Sequence, residues 1–273
     1  MLFLNFIKLI YYILIKRNFY ILRKNFINRN FNSEVPLFYS EYLLELKKNG
    51  YIVIKNFIST QDCEFIIKQI ENFLIENKEL TWHDDNFSDL RIHGAENISE
   101  KINNFYSNKL SIELGEYYYR GRLENLMTMA NKTTFVKNNQ GSGQGWHRDG
   151  LNFQYKAILY LTNVDQNNGP FQLIFGSNKL FNILKTCFKY GLNPFNTRID
   201  NEVAEKIIKN NQNLLKTLTG SSGDLVLVDT SLIHRGCPLN KDKRYALTNY
   251  YYPKNLIKIY SKSFKPLIKN KFY

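Results

Sequence analysis

The apolar positions of the chain fall into two regimes. Between about residue 40 and residue 119 they recur at the three- and four-residue spacing of helices, whereas from Leu126 to Tyr252 they come in short, nearly continuous runs. Ser40 opens a stretch with Tyr42, Leu43, Leu44 and Leu46 that predicts an amphipathic helix stopping at Asn49 and Gly50, a usual carboxyl-terminal signal. Tyr51–Ile54 alternates like a short strand. Ser59 or Thr60 then caps a longer helix whose Phe65, Ile66, Ile70, Phe73 and Leu74 keep one face apolar. Residues 81–97 are polar and irregular and predict a surface loop bordering a pocket, and another helix is expected from near Ile98 to Tyr119. The strand-like region is interrupted by a helical insert around Leu180 to Leu215. Helices first and strands later predict an α+β or mainly β domain, not a βαβ array. With no internal repeat or low-complexity linker, 273 residues suit one sizeable domain, expected over residues 32–253, with appendages at both ends.

Charge changes this picture only at the ends. Of the net +13, twelve charges sit in two segments without a single acid: Lys8, Lys16, Arg17, Arg23, Lys24 and Arg29 in residues 1–31, and Lys254, Lys258, Lys262, Lys265, Lys269 and Lys271 in residues 254–273. The body between them is nearly neutral, which argues against a nucleic-acid groove. The first fifteen residues are mostly apolar, with Asn5, Lys8, Tyr12 and Lys16 along one narrow stripe. A bilayer span needs about 20 apolar residues, and no small-residue cleavage site follows. The expectation is an interfacial helix in peripheral contact with an anionic membrane. The basic carboxyl-terminal tail fits either the same surface or a solubilising role. Cys63, Cys187 and Cys237 are odd in number and scattered, so a reducing, cytoplasmic setting without a disulfide framework is expected.

Candidate chemistry centres on His147, Asp149 and His234, in a chain with only four histidines. Two imidazoles and one carboxylate are the ligands of a mononuclear non-haem Fe(II) oxygenase, which keeps open positions on the metal. On an extended strand His147 and Asp149 point the same way and Arg148 the other. Arg244 lies ten residues beyond His234, and a guanidinium there suits the carboxylate of a dicarboxylate co-substrate. His234 closes the apolar run that starts at Asp224, which reads as one buried strand, and the turn-like Cys237–Lys243 predicts that His234 and Arg244 lie on adjacent antiparallel strands. Arg235 faces away by strand parity. Other features read as structural: Gly141–Gly145 as a flexible connector, Tyr117–Tyr119 and Tyr250–Tyr252 as core, His83 and His93 as solvated loop histidines, and Asp84 and Asp85 as loop carboxylates.

From Ser40 to Pro253 the chain resembles the phytanoyl-CoA dioxygenase-like Fe(II)/2-oxoglutarate oxygenases. The resemblance is carried by Gly50–Ile58, Trp146–Gly150, Ala157–Asp165, Asn168–Pro170, Gly176 and Ser177, Gly223–Asp229, His234–Gly236 and Arg244–Tyr250, in that order and spacing. It implies a double-stranded β-helix (a cupin-like jelly roll) with flanking amino-terminal helices and a helical insert. It further implies Fe(II) held by His147, Asp149 and His234, 2-oxoglutarate anchored by Arg244 with a polar contact from Asn131, and O₂ as oxidant. Because Asp149 fills the position that halogenating relatives leave open, hydroxylation of a small or lipid-like organic substrate is the expected reaction. Asn178 departs from the His found there in many relatives, so phytanoyl-CoA is not carried over as substrate. Two other readings remain at this point: a non-catalytic β-helix module at a membrane surface, and an oxygenase modifying a protein, glycan or lipid-linked intermediate.

Overall fold

The computed structural model describes residues 2–11, 34–150, 154–192 and 196–264. Among the described residues ten strands form two antiparallel sheets. The strands are β1 (Tyr51–Ile54), β2 (Trp82–His83), β3 (Asp89–His93), β4 (Leu123–Thr134), β5 (Tyr155–Tyr160), β6 (Phe171–Ile174), β7 (Leu215–Leu218), β8 (Leu225–Asp229), β9 (His234–Gly236) and β10 (Lys243–Pro253). The larger sheet has the order β1-β8-β5-β10-β4-β3-β2 and the smaller β7-β6-β9. His147 bridges His234 on the free side of β9 and Arg198 beyond it, so the smaller sheet gains an irregular fourth segment.

Alternation along the strands sorts side chains between two layers. Tyr155, Ala157 and Leu159 of β5, Leu225 and Leu227 of β8, and Tyr245, Leu247 and Tyr251 of β10 join a core beneath the helices. Their neighbours Ile158, Tyr160, Val226, Val228 and Ala246 point the other way and meet Phe171, Leu173 and Leu218 of the smaller sheet. Because side chains alternate at period two, one sequence supplies both cores. The result is a helix-backed double-stranded β-helix, the mainly β, cupin-like α+β fold expected above.

The helices on the outer face are α2 (Leu37–Asn49), α3 (Thr60–Glu76), α4 (Glu100–Tyr106) and α5 (Lys109–Tyr119). Helix α2 begins three residues before Ser40, directly after Pro36, and ends where Gly50 takes a φ of 79° and its N–H bonds to the Leu46 carbonyl. That left-handed closure is one a residue with a Cβ adopts only under strain. Ser59 caps α3 by accepting from the Asp62 N–H at 3.1 Å, an interaction worth about 1 kcal/mol. Helix α3 buries Ile66, Ile70, Phe73 and Leu74, whereas Phe65 stays exposed. The single helix expected to Tyr119 is divided, because Asn108 turns its side chain onto the Ser111 N–H at 2.9 Å and starts α5 afresh.

Residues 81–97 are not a loop throughout. They carry β2 and β3 at the edge of the larger sheet, with Leu90 and Ile92 toward the helices and Asp89, Arg91 and His93 toward the interior between the sheets. His93 is buried, not solvated, while His83 is exposed and stacks on Phe87 at 4.0 Å. The apolar run from Asp224 to His234 is likewise two strands: β8 ends at Asp229, a turn follows, and β9 begins in the other sheet.

The insert contains α6 (Leu180–Tyr190) and α7 (Asn201–Asn210). Helix α7 packs Ala204 and Ile207 near Trp146, Ile174 and Ile233, which flank the segments carrying His147 and His234. At the amino end, α1 (Leu2–Tyr11) sets Phe6 against Phe188 of α6, ring centroids 5.9 Å apart. Among the described residues no helix is long and apolar enough to cross a membrane. Residues 12–31 of the basic leader lie outside the described residues. Near the carboxyl end, α8 (Ile257–Phe264) stacks Tyr260 on Tyr252 at 4.1 Å, which places the first part of the basic tail on the sheet.

Candidate metal centre

The turn between β8 and β9 delivers His234. Asp229, buried at its start, accepts from the Ser231 N–H (2.9 Å) and hydroxyl (2.6 Å) with one oxygen, and from Tyr118 and Asn178 (3.0 Å each) with the other. Burial pushes the Asp229 carboxyl up from its ordinary value, against the pull of these donors. Asn178, the departure from the family pattern, is therefore part of the buttress of this turn. Ser177 completes it by accepting from the Ile233 N–H at 2.7 Å.

His147 and Asp149 arrive on a loop segment paired strand-like with this turn. The His147 and His234 main chains exchange two hydrogen bonds (2.9 and 2.7 Å), and the Asp149 N–H donates to the Thr230 carbonyl at 3.0 Å. Arg148 points away from them and donates to the Ser177 and Ser231 carbonyls. The Gly141–Gly145 segment expected to be a flexible connector is a packed turn. A Cβ on Gly143, at φ +88°, would stand 2.6 Å from the His147 ring, so only glycine lets the loop close over that imidazole.

The three side chains converge. One donor atom from each of His147, Asp149 and His234 lies within 4.8 Å of the others. Each imidazole Nε2 is 3.9 Å from a different Asp149 oxygen, and the ring centroids are 4.3 Å apart. Donors bound at about 2.0–2.2 Å to one ion sit about 3 Å apart, so modest side-chain adjustment closes the cage. Both rings are oriented for it: His147 Nδ1 donates to the Gly145 carbonyl (2.9 Å) and His234 Nδ1 to that of Leu232 (2.8 Å). This fixes the proton on Nδ1 and leaves each Nε2 lone pair toward Asp149. Phe171 lies against the His234 ring at 5.2 Å.

Electrostatics keep the donors in ligand form. Burial and the neighbouring His147 push His234 down to about 3, and burial lowers His147 as well. Burial alone would raise the Asp149 carboxyl, but the Lys156 ammonium, with Nζ 2.6 Å away, holds it well below the usual carboxylate range. Two neutral imidazoles and an ionised carboxylate are what a divalent cation needs.

Arg244 lines the same cavity, but by a different route from the one expected. Strands β9 and β10 are not a hairpin: they belong to opposite sheets, and Arg244 reaches inward from β10 between β5 and β4. Its Nη1 donates to the Gly169 carbonyl, which gives the Asn168–Pro170 motif a purpose, and its Nη2 to Asn131 Oδ1 at 3.2 Å. Arg244 Nε is buried and has no hydrogen-bond partner among the described residues. Asn131 also donates to Asp89, so it links the guanidinium to a buried carboxylate. Arg235 faces away, bonding Gln172 at 2.9 Å with its guanidinium 4.4 Å from the Trp146 ring centre.

Lys156, Tyr160, Phe171, Arg91 and Tyr250, none of them a site candidate in the sequence, also line the cavity. Lys156 lies two positions from Ile158 on the inward face of β5, a place that strand parity marks but a lysine's residue type does not.

The buried histidines also set a pH dependence. Burial and the nearby Arg91 charge push His93 down to about 4, whereas in the unfolded chain it protonates near 6.5. Between those values the unfolded state binds more protons, so stability present above pH 6.5 is lost as pH falls toward 4. His234 contributes with the same sign, and Asp229, whose carboxyl is raised, with the opposite one. Urea unfolding should show stability falling from pH 6.5 to pH 5, and His93→Gln should flatten that slope by about 1–2 kcal/mol over the interval. An unchanged slope in the variant would contradict the assignment.

Comparisons with known proteins bear on the fold and the family. The epimerase SnoN from nogalamycin biosynthesis, described as non-heme and alpha-ketoglutarate dependent, superposes with a TM-score of 0.60 at 12% identity over 80% of this chain and 82% of its own. HygX from Streptomyces hygroscopicus, solved with nickel and 2-oxoglutarate bound, gives 0.58 at 15% identity, covering 79% and 87%. EctD from S. alaskensis, with bound Fe, gives 0.62 at 16% identity, covering 81% and 80%. At these identities the likeness is one of fold. No curated protein matches the chain in sequence. The family model for phytanoyl-CoA dioxygenase (PhyH), however, matches residues 46–245, which include His147, Asp149, His234 and Arg244, and the chain belongs to the phytanoyl-CoA dioxygenase family.

Proposed function

We propose that this protein is an Fe(II)- and 2-oxoglutarate-dependent oxygenase that hydroxylates a small organic substrate. The observation that carries the reading is the pair of imidazoles whose Nδ1–H groups are fixed on carbonyls, so that both Nε2 atoms face one ionised carboxylate. In this reading His147, Asp149 and His234 hold the metal. Arg244 anchors the far carboxylate of 2-oxoglutarate, with its unpartnered Nε–H and its Nη groups positioned by Gly169 and Asn131. When bound, iron and 2-oxoglutarate supply oxidation of a C–H bond by O₂ coupled to decarboxylation of the co-substrate to succinate.

The chain's own residues do the rest. Gly143 lets the 141–145 turn close over His147, Phe171 shields His234, and Ile158, Tyr160 and Ala246 give the cavity apolar walls that exclude water from the reacting centre. The fold relatives include an epimerase, so the reaction outcome is read from product, not assumed from fold.

Purified protein supplied with Fe(II), 2-oxoglutarate and O₂ should form succinate slowly even without its substrate, and chelation of the iron should abolish this. Succinate formation equal in the chelated control would contradict the proposal.

A further inference from the structure

The cavity holds more positive charge than metal and co-substrate binding employ. It encloses about 340 Å³, and among the described residues its lining includes Arg91, Lys156, Arg198 and Arg244, with the main chain of Arg148, whose guanidinium turns away, against a single carboxylate, Asp149. Most of this charge is already engaged. Arg148 donates to two carbonyls. Arg91 is matched by Asp89 at 2.5 Å and stacks over Trp82. Arg198 lies exposed on the 143–144 carbonyls. Arg244 is assigned to 2-oxoglutarate, and Fe(II) with a 2-oxoglutarate dianion adds no net charge.

Among the described residues lining the cavity, Lys156 is the cation whose one partner, Asp149, is also the carboxylate assigned to the metal. It sits on the inward face of β5, with only 11% of its side chain exposed. Its Nζ is 2.6 Å from Asp149 Oδ2 and 4.3 Å from the centre of the Tyr250 ring. An ammonium has three N–H donors, and among the described residues no acceptor besides Asp149 engages them. A buried cation with unused donors, directly beside the metal-facing carboxylate, is poised for an anion.

We infer that the substrate carries an anionic group, a carboxylate or a phosphate, and that Lys156 binds it over the face of Tyr250, next to the metal. This rests on the metal and co-substrate reading above. It makes Lys156 a specificity-determining residue: one N–H holds Asp149, and the others hold the substrate's anion. The group hydroxylated is then a carbon a short distance from that anion.

The experiment is NMR of small probes with the full-length protein, loaded with Mn(II) and saturating 2-oxoglutarate. The probes are hexanoate, hexyl phosphate and the neutral hexanamide, and the readout is paramagnetic broadening of their proton lines. Broadening by hexanoate or hexyl phosphate should exceed that of hexanamide by about tenfold or more, as expected for a charge-assisted hydrogen bond. It should persist when 2-oxoglutarate is tripled. The stronger of the two anions separates carboxylate from phosphate. Lys156→Met should remove the preference and Lys156→Arg should keep it. Equal broadening by hexanoate, hexyl phosphate and hexanamide overturns the inference, as does a preference intact in Lys156→Met. The wild-type comparison stands by itself even where Lys156→Met fails to hold Mn(II). Failure of the wild type to bind Mn(II) with 2-oxoglutarate, read separately by electron paramagnetic resonance, overturns the oxygenase reading and this inference with it.

Discussion

Asp149→Ala is expected to lower Fe(II)-dependent succinate formation by more than about 100-fold, since even partners outside a ligand set typically change affinity or activity 10–100-fold. Asp149 is the only carboxylate among the three converging side chains, and in the function proposed its charge is what would offset the cation. The backbone bond from Asp149 N–H to Thr230 is untouched by the substitution, so the loop keeps its anchor. A second consequence separates this residue from the histidines. Removing the carboxylate leaves the Lys156 ammonium, mostly buried and 2.6 Å from it, without its counter-ion. Breaking a fully buried pair costs about 3–5 kcal/mol. With 11% and 19% of the two side chains exposed, the loss here should be smaller but should still lower the melting temperature. Asp149→Asn, of the same shape, should show the same loss of turnover. Turnover within tenfold of wild type in both variants would remove Asp149 from the metal site.

Arg244→Lys is expected to raise the KM for 2-oxoglutarate about 10- to 100-fold, while Mn(II) affinity stays near the wild-type value. The guanidinium is held at two of its nitrogens, Nη1 on Gly169 and Nη2 on Asn131, and Nε is left over. A planar fork fixed in this way presents a carboxylate with paired donors, worth about 1.5–3 kcal/mol in a charged hydrogen bond. A lysine supplies charge but not the fork, and it cannot reach both Gly169 and Asn131. Unchanged KM with reduced metal binding would place Arg244 in the support of the metal, not the co-substrate.

The fold and site were unequally legible in the sequence, for physical reasons. Where a strand's inward face is apolar, as with Val226 and Val228 against Leu225 and Leu227, the burial pattern shows in the residue types and the strand is readable. Where the inward face carries the charged groups in and beside the cavity, it is polar. Asp89, Arg91 and His93 therefore disguise β3 as a loop, and Lys156 hides at the start of β5. Periodicity also reports which face a residue takes, not which sheet. The segment from Asp224 to His234 crosses from the larger sheet to the smaller at the Asp229 turn, and Arg244 returns to the larger one. His234 and Arg244 line one cavity, but they reach it from two sheets and not through the hairpin offered for it. The histidines and Asp149 were readable because His-x-Asp and a distant His are scarce in a chain with four histidines. The orienting carbonyls of Gly145 and Leu232 are backbone groups, and no residue type announces them.

Anomalous diffraction from crystals grown with Mn(II) and 2-oxoglutarate would locate the ion among these side chains. One manganese peak is expected, bonded to His147 Nε2, the Asp149 carboxylate and His234 Nε2, with the far carboxylate of 2-oxoglutarate on the Arg244 guanidinium. Manganese bound elsewhere, or a His234 ring turned away from the ion, would contradict the proposed metal site.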